Sequence, residues 1–145
     1  MLAVGSDHGG LALKQAVLEH LDAQGIPYKD FGCYDTNSVD YPTIAAPVAH
    51  AIAAGEYEMG LLFCGTGIGM SLAANKVRGI RAALCENPFS ARMAREHNDA
   101  HILCMGGRVL GPAIAIEMVD AFLHAQFQGD RHTGRVAAIM EIENS

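Results

Sequence analysis

Short apolar runs alternate along the chain with longer stretches in which apolar residues recur at helical spacing. The runs occupy residues 2–6, 28–31, 59–63, 80–84 and 102–105. Runs without polar alternation are typical of strands that are buried on both faces, as in a parallel sheet covered by helices. The pattern therefore predicts five strands, each followed by a helix.

The stretches between the runs carry helix signals of their own. Apolar stripes at helical spacing lie within residues 11–21 and 44–52. Asn87-Pro88 predicts an N-cap followed by proline in the first turn, and Gly25 and Gly55 mark helix ends. Two helices, about residues 113–126 and 134–142, are predicted after the last strand. The second of them is a candidate for packing on another subunit.

Repeated strand–helix–strand units of this kind predict an α/β, doubly wound fold with a parallel sheet. The chain of 145 residues fits one domain, residues 1–145, because no linker, repeat or low-complexity segment interrupts it. In such sheets ligands bind outside the carboxyl ends of the strands, where the strand order reverses. The segments that follow the strands are therefore the candidates for a functional site.

Composition narrows the class of protein. Half of the residues are hydrophobic and 18% are charged, which excludes a disordered chain. The net charge of −6 argues against nucleic acid or an anionic membrane as the main partner. No apolar run reaches the ~20 residues of a membrane span, and the N-terminus does not resemble a signal peptide. Four cysteines without Cys-x-x-Cys spacing indicate a reduced, cytoplasmic protein.

A glycine-rich segment follows the third apolar run and precedes a helix predicted over residues 70–76. Its sequence is Cys64-Gly65-Thr66-Gly67-Ile68-Gly69. Glycines between a strand and a helix let backbone N–H groups converge on one point, and the first N–H groups of a helix lack internal partners. A cysteine placed there lies where its thiolate is favoured. The segment therefore predicts a reactive sulfur beside a site for negative charge.

Two nucleotide-binding interpretations fit this segment less well. A dinucleotide fingerprint needs its third glycine where Met70 stands, and it follows the first strand of the fold rather than the third. Glu86 lies about 20 residues on, where a ribose-binding acid is expected, but it is more simply an acidic group near a helix N-terminus. A phosphate-binding P-loop needs Gly-Lys followed by Ser or Thr, which this segment lacks.

Motifs along nearly the whole chain resemble those of the ribose-5-phosphate isomerase B family, which also contains allose- and galactose-6-phosphate isomerases. Besides the glycine segment, they are Asp7-His8-Gly9-Gly10, Asp40-Tyr41-Pro42, Ala74-Asn75-Lys76, Gly79-Ile80-Arg81-Ala82, Glu96-His97-Asn98-Asp99, Gly106-Gly107-Arg108 and Arg131-His132-x-x-Arg135. The resemblance implies a Rossmann-like three-layer α/β/α fold with no metal or other cofactor. It also implies a homodimer or homotetramer whose active sites are shared between subunits. The implied reaction interconverts D-ribose 5-phosphate and D-ribulose 5-phosphate through an enediolate.

The resemblance assigns roles to individual residues. Cys64 is the expected base at C2, since no acid stands at positions 70–72 to replace it. His97 is expected to open the sugar ring from the neighbouring subunit, Asp7 to assist it, and Thr66 to relay a proton. The residues expected to bind the substrate are His8, Gly65, Gly67, Ile68, Gly69, Asn98, Arg108, Arg131 and Arg135.

Other interpretations stay open at this point. Cys64 also fits a buried strand end, Asp7 a helix cap, and the two terminal arginines a solvated tail in which Gly134 weakens any helix. The alternative reaction within the family is isomerisation of a hexose 6-phosphate, allose or galactose. A non-catalytic sugar-phosphate or nucleotide-binding module is the alternative outside enzymes. Rates on both sugars, and binding without turnover, distinguish these functions.

Overall fold

The computed structural model describes residues 1–145, in which five parallel strands form one sheet with helices on both faces. The strands are β1 (Leu2–Ser6), β2 (Tyr28–Asp30), β3 (Met59–Cys64), β4 (Ala82–Leu84) and β5 (Ile102–Gly106). The helices are α1 (Leu11–Ala23), α2 (Tyr41–Ala53), α3 (Ile68–Ala74), α4 (Pro88–Asn98), α5 (Pro112–His124) and α6 (Arg131–Glu143), with a short 3-10 helix at His8–Gly10. None of these helices combines the length and the apolar character that crossing a bilayer requires. The predicted α/β architecture is confirmed.

The strand order β2-β1-β3-β5-β4 places β3 at the centre of the sheet. Along β3, Leu61 and Phe63 belong to the core under α1, α4 and α5, whereas Leu62 and Cys64 belong to the core under α2 and α3. All four side chains are buried because both faces of the strand are covered. This explains why the run reads as continuously apolar instead of alternating.

Local sequence signals begin α4 and end α1 and α2 where they were expected to. The Asn87 side chain accepts the Ser90 N–H at 2.8 Å and Pro88 opens α4, so the predicted cap is confirmed. Gly25 and Gly55 follow α1 and α2 with φ of 68° and 81°, in the left-handed region that favours glycine.

Several boundaries differ from the predicted ones by one to three residues; α3, for example, spans Ile68–Ala74 rather than residues 70–76. The edge strand β4 begins at Ala82 rather than at residue 80, because the Arg81 N–H donates to His101 Nδ1 instead of joining the sheet ladder. Helix α6 begins at Arg131 rather than near residue 134, and it runs through the exposed Gly134. The buried side chain of His132 fixes the first turn of this helix against α4.

A buried lysine anchors the segment between β2 and α2. Lys14 of α1 is fully buried, and its Nζ donates to Asp30 Oδ1 at 2.8 Å and to the Cys33 carbonyl at 2.6 Å. At the far end of the segment the Val39 N–H donates to His8 Nδ1 at 3.2 Å. Residues 31–40 are therefore tied at both ends to elements that follow β1.

Candidate active site

Cys64 lies at the carboxyl end of β3, next to the point between β1 and β3 where the strand order reverses. Its residue surface is 4% exposed, and it forms part of the wall of an open cavity of about 400 Å³. The Gly67 N–H donates to Cys64 Sγ at 3.1 Å. This N–H is therefore a donor directed at the sulfur from the start of the glycine loop.

The loops that follow β1, β3 and β5 meet at this cavity through their backbones. The Asp7 N–H donates to the Phe63 carbonyl at 3.1 Å, and the Gly107 N–H donates to the Cys64 carbonyl at 2.8 Å. A Cβ at Gly106 would lie 2.7 Å from the carbonyl carbon of Thr66, which only glycine avoids. Backbone contact at this range fixes the three loops relative to one another.

Three N–H groups of the loop after β3 have no acceptor in the protein: those of Gly65, Thr66 and Gly69. The remaining two are used within the loop, Gly67 at the sulfur and Ile68 at the Thr66 Oγ1 (3.3 Å). The loop therefore offers unpaired donors beside the sulfur, as an anionic oxygen requires. The N-cap of α3 is Gly67, so the Thr66 hydroxyl stabilises the loop that precedes the helix and does not cap it.

Arg108 brings a positive charge to the same cavity. A Cβ at Gly65 would lie 3.2 Å from Arg108 Nη1, which places the guanidinium directly over this glycine. The side chain is exposed and forms no ion pair with a carboxylate. A guanidinium without a carboxylate partner remains available for an anionic group of a ligand.

Asp7 and His8 lie at the start of the short 3-10 helix that follows β1. Asp7 is buried, and its Oδ1 accepts the Gly10 N–H at 3.0 Å, so it caps the short 3-10 helix while lining the cavity. Because His8 Nδ1 accepts the Val39 N–H, the remaining ring hydrogen of the neutral form is on Nε2, where it can donate. Asp7 therefore lines the Cys64 cavity, and His8 follows it directly in the chain.

The other predicted residues lie at the amino ends of the strands, opposite the end that carries Cys64. Helix α4 runs from the carboxyl end of β4 back to the amino end of β5, so His97 and Asn98 in its last turn are separated from Cys64 by the height of the sheet. For the five residues of β5 this height is roughly 16 Å. Arg131 and Arg135 lie one turn apart on α6, both exposed and without an ion pair.

A pair of stacked imidazoles joins α4 to α6 at the amino ends of the strands. The rings of His97 and His132 are 4.2 Å apart between centroids and 13° from parallel. Burial lowers the pKa of His132, and the charges of His97, Arg131 and Arg135 lower it further, against an opposing effect of Asp130. His132 therefore stays neutral near pH 7, and its buried Nε2 has no hydrogen-bond partner.

Two residues of the Cys64 cavity were not among the predicted site residues. The Tyr41 ring covers Gly69, where a Cβ would lie 2.5 Å from Tyr41 Cε1, and Leu72 of α3 closes the same side. The motif Asp40-Tyr41-Pro42 pointed to Tyr41, but nothing in the sequence placed its ring over the glycine loop. No group of three or more histidine, cysteine or acidic side chains is arranged to hold a metal ion.

Gly67→Ala is expected to destabilise the protein and to displace the N–H that contacts the sulfur. Gly67 has φ of 80°, which costs an alanine about 1–2 kcal/mol. The new Cβ would also lie 2.6 Å from Leu84 Cδ1, and overpacking of this kind costs about 1–3 kcal/mol. Thermal or urea unfolding measures the sum.

Gly25→Ala is the matched control for this prediction. Gly25 has a similar φ of 68°, but a Cβ there meets no atom within 4 Å. It should lose only the strain part of the free energy of unfolding. Equal destabilisation by the two variants would show that the loop tolerates the added methyl group.

Known proteins resemble this chain over nearly its whole length. The family described as Ribose/Galactose Isomerase matches residues 2–139. The chain is 47% identical over 142 residues to ribose-5-phosphate isomerase B of Escherichia coli, covering 98% of this chain and 95% of the relative.

Two solved structures share the whole fold. The structure of Clostridium thermocellum ribose-5-phosphate isomerase B matches with a TM-score of 0.96 and 51% identity, covering 99% of this chain and 97% of the other. That of Mycoplasma genitalium ribose-5-phosphate isomerase B with bound ribulose-5-phosphate matches with a TM-score of 0.91 and 39% identity, covering 99% and 96%. The chain therefore belongs to the ribose/galactose isomerase family.

Proposed function

We propose that this chain is an aldose–ketose isomerase that interconverts D-ribose 5-phosphate and D-ribulose 5-phosphate. The observation that carries the proposal is the Cys64 sulfur, which lines an open cavity and accepts the Gly67 N–H at 3.1 Å. Relatives with this reaction in their names align over nearly the entire chain, and one of them was solved with ribulose-5-phosphate bound.

The reaction moves one carbon-bound proton and needs a base to carry it. The Cys64 thiolate takes the proton from C2 of the open-chain aldose, and the C1 carbonyl oxygen becomes the enediolate oxygen. The O2 hydroxyl proton passes to O1 with the Thr66 hydroxyl as relay, and the cysteine returns its proton to C1. The product has a carbonyl at C2 and a hydroxyl at C1, so no electron or proton is gained or lost.

The enediolate oxygen requires donors that are already in place when its charge develops. The unpaired N–H groups of Gly65 and Gly69 meet this need, with that of Thr66 between them. Loss of one such donor costs on the order of 3 kcal/mol of transition-state stabilisation in other enzymes. Since Gly67 and Ile68 use their N–H groups within the loop, their share in substrate binding is to hold the loop in shape.

A complete site on this proposal needs two copies of the chain. His97, which opens the ring, and the phosphate ligands Arg131 and Arg135 lie at the edge of the sheet away from Cys64. An apolar cavity of about 510 Å³ lies nearby, between the edge strand β4 and α6. The exposed side chains of Ile139 and Ile142 of α6 line it. A homodimer, or a tetramer built from it, buries this surface and brings the second group of residues to the cysteine of its partner.

The proposal covers residues 1–145 as one sugar-phosphate isomerase domain that acts in the cytoplasm. All four cysteines are free, as expected in a reducing compartment. In a chain with a net charge of −6, the unpaired arginines Arg108, Arg131 and Arg135 give the site a local positive charge. This charge suits a phosphate group and needs no nucleic-acid or membrane partner.

The direct test is an isomerase assay on ribose 5-phosphate and on allose 6-phosphate, in the presence of EDTA. We expect the pentose phosphate to be converted with the higher kcat/KM and turnover to persist with the chelator. A preference for the hexose phosphate would favour the alternative reaction within the family. Binding of ribose 5-phosphate without any ribulose 5-phosphate would refute isomerase activity.

Arg135→Ala is expected to raise KM more than it lowers kcat. Arg135 would hold the phosphate, which does not change during the reaction, so its contacts are equal in the ground and transition states. Loss of a charged hydrogen bond of about 1.5–3 kcal/mol corresponds to a KM increase of roughly 10- to 100-fold. Steady-state kinetics checks this split, and an unchanged KM would remove Arg135 from the site.

A further inference from the structure

The side chain of Arg81 connects the two elements that carry the second half of the proposed site. Arg81 precedes β4 and belongs to the motif Gly79-Ile80-Arg81-Ala82, to which the isomerisation chemistry assigns no role. Its side chain is 16% exposed, and every nitrogen of its guanidinium has a partner within the chain. It is therefore not available to bind a phosphate.

The guanidinium of Arg81 donates hydrogen bonds to the backbone carbonyls at the end of α4. Nε donates to the carbonyls of Asn98 (3.0 Å) and Asp99 (3.2 Å), and Nη2 donates to the Asp99 carbonyl at 2.8 Å. Asp99 has φ of 47°, so the chain leaves the helix abruptly at this residue. A cation on the last carbonyls stabilises such a helix end and fixes the direction of the preceding turn. His97 and Asn98 lie in that turn.

The same guanidinium also contacts α6. Nη1 lies 3.3 Å from the Met140 sulfur, and the backbone N–H of Gly79 donates to Glu143 Oε2 at 2.9 Å. Near the other end of α6, His132 stacks on His97. Helix α6 is thus held against the end of α4 at two places, and Arg81 is the only side chain that contacts both the last turn of α4 and the second half of α6 through hydrogen bonds.

We propose that Arg81 is a positioning residue for the isomerase reaction. It fixes His97 and Asn98 relative to Arg131 and Arg135, so that a subunit presents the ring-opening and phosphate-binding groups to its partner in one geometry. The inference rests on the proposed function and on the sharing of sites between subunits. It gives Arg81 no contact with the sugar.

The side chain of Arg81 can be changed without removing the local fold. The Arg81 N–H donates to His101 Nδ1, and the Arg81 carbonyl accepts the His101 N–H, so the backbone has its own partners. Arg95 independently binds the Asp99 carboxylate at 3.3 Å and the Ala100 carbonyl at 2.7 Å. The end of α4 therefore keeps one cation when Arg81 is replaced.

The first arm of the test compares Arg81→Met with Arg81→Lys. Methionine is similar in length but donates no hydrogen bond, whereas lysine keeps the charge and loses the fork. Because misplacement by about 1 Å costs up to ~10²-fold, Arg81→Met should lower kcat/KM by roughly 10- to 100-fold, with kcat reduced and KM raised. Arg81→Lys should recover part of this loss. Arg92→Met, an exposed arginine paired with Glu96 on α4, should retain wild-type kinetics.

The second arm assigns Arg81 to one half of the site by mixing subunits. Arg81→Met subunits mixed with Cys64→Ala subunits should regain activity, since one site then combines an intact cysteine with an intact second group. Mixed with His97→Ala subunits, they should remain at the low activity of the single variants. The reverse pattern, or Arg81→Met kinetics within twofold of wild type, would overturn the inference.

Other failures are distinguishable from this one. If the wild-type protein makes no ribulose 5-phosphate, the proposed function fails. If Cys64→Ala and His97→Ala subunits do not complement each other although they exchange, the sites are not shared, and the inference about Arg81 is overturned while the proposed function stands. Thermal unfolding of each variant shows that it is folded, and Arg81→Lys replaces Arg81→Met in both arms if the methionine variant is not.

Discussion

Replacing Cys64 with alanine is expected to abolish isomerisation while leaving the binding of ribose 5-phosphate nearly intact. The substitution removes the atom that accepts the carbon-bound proton, and general acid–base catalysis typically contributes about 10²–10⁴-fold. The glycine loop and the arginines that would bind the sugar phosphate remain in place. Formation of ribulose 5-phosphate measures the loss, and calorimetric titration with ribose 5-phosphate measures the binding that persists.

Cys85→Ala is the matched control for this substitution. Cys85 is as buried as Cys64 but lies outside the cavity, and burial raises the pKa of its thiol to about 11. It therefore stays protonated near neutrality and cannot act as the base. We expect this variant to keep near wild-type turnover. Near wild-type turnover in Cys64→Ala would instead eliminate the cysteine mechanism.

Mixing inactive Cys64→Ala subunits with inactive His97→Ala subunits is expected to restore activity. The two side chains lie at opposite ends of the strands, so on the proposed function each site takes Cys64 from one subunit and His97 from the other. Each hybrid dimer would then contain one site with both groups intact and one site with neither. For dimers that exchange freely, an equal mixture should reach about one quarter of wild-type activity. The measurement is the isomerase rate before and after exchange of the subunits.

The hybrid must be demonstrated independently, for example by native mass spectrometry of subunits with different tags. A mixture of two wild-type proteins carrying the same tags controls for loss of activity during exchange. If hybrids form and the rate stays at the level of the separate variants, each site is contained within one chain. His97 would then have no part in the reaction at Cys64.

The sequence was sufficient to predict most of the fold because its signals are local and mutually consistent. The central strands are apolar along their entire length, since helices cover both of their faces. The cap at Asn87 and the glycines after α1 and α2 act within a few residues of themselves. The placement of Cys64 beside backbone donors followed from the strand–glycine–helix order alone.

What could not be predicted depends on contacts between distant parts of the chain. Lys14 lies in a helix whose pattern gives no sign of a buried charge, because its partners Asp30 and Cys33 come from another segment. The start of α6 at Arg131 likewise depends on His132 packing against His97, and Gly134 alone suggested a weaker helix. The site residues lie at opposite ends of the strands, and predicting this separation required knowledge of the topology. Family resemblance supplied their roles but not their positions.

The double anchoring of residues 31–40 has a consequence for how a sugar phosphate is received. Lys14 holds this segment near its start and His8 holds it near its end. Its conformational entropy is therefore lost when the protein folds, and binding free energy need not be consumed in ordering it. Tyr41, whose ring covers Gly69 at the Cys64 cavity, follows this segment directly, so the wall that Tyr41 contributes is in place as soon as the chain folds.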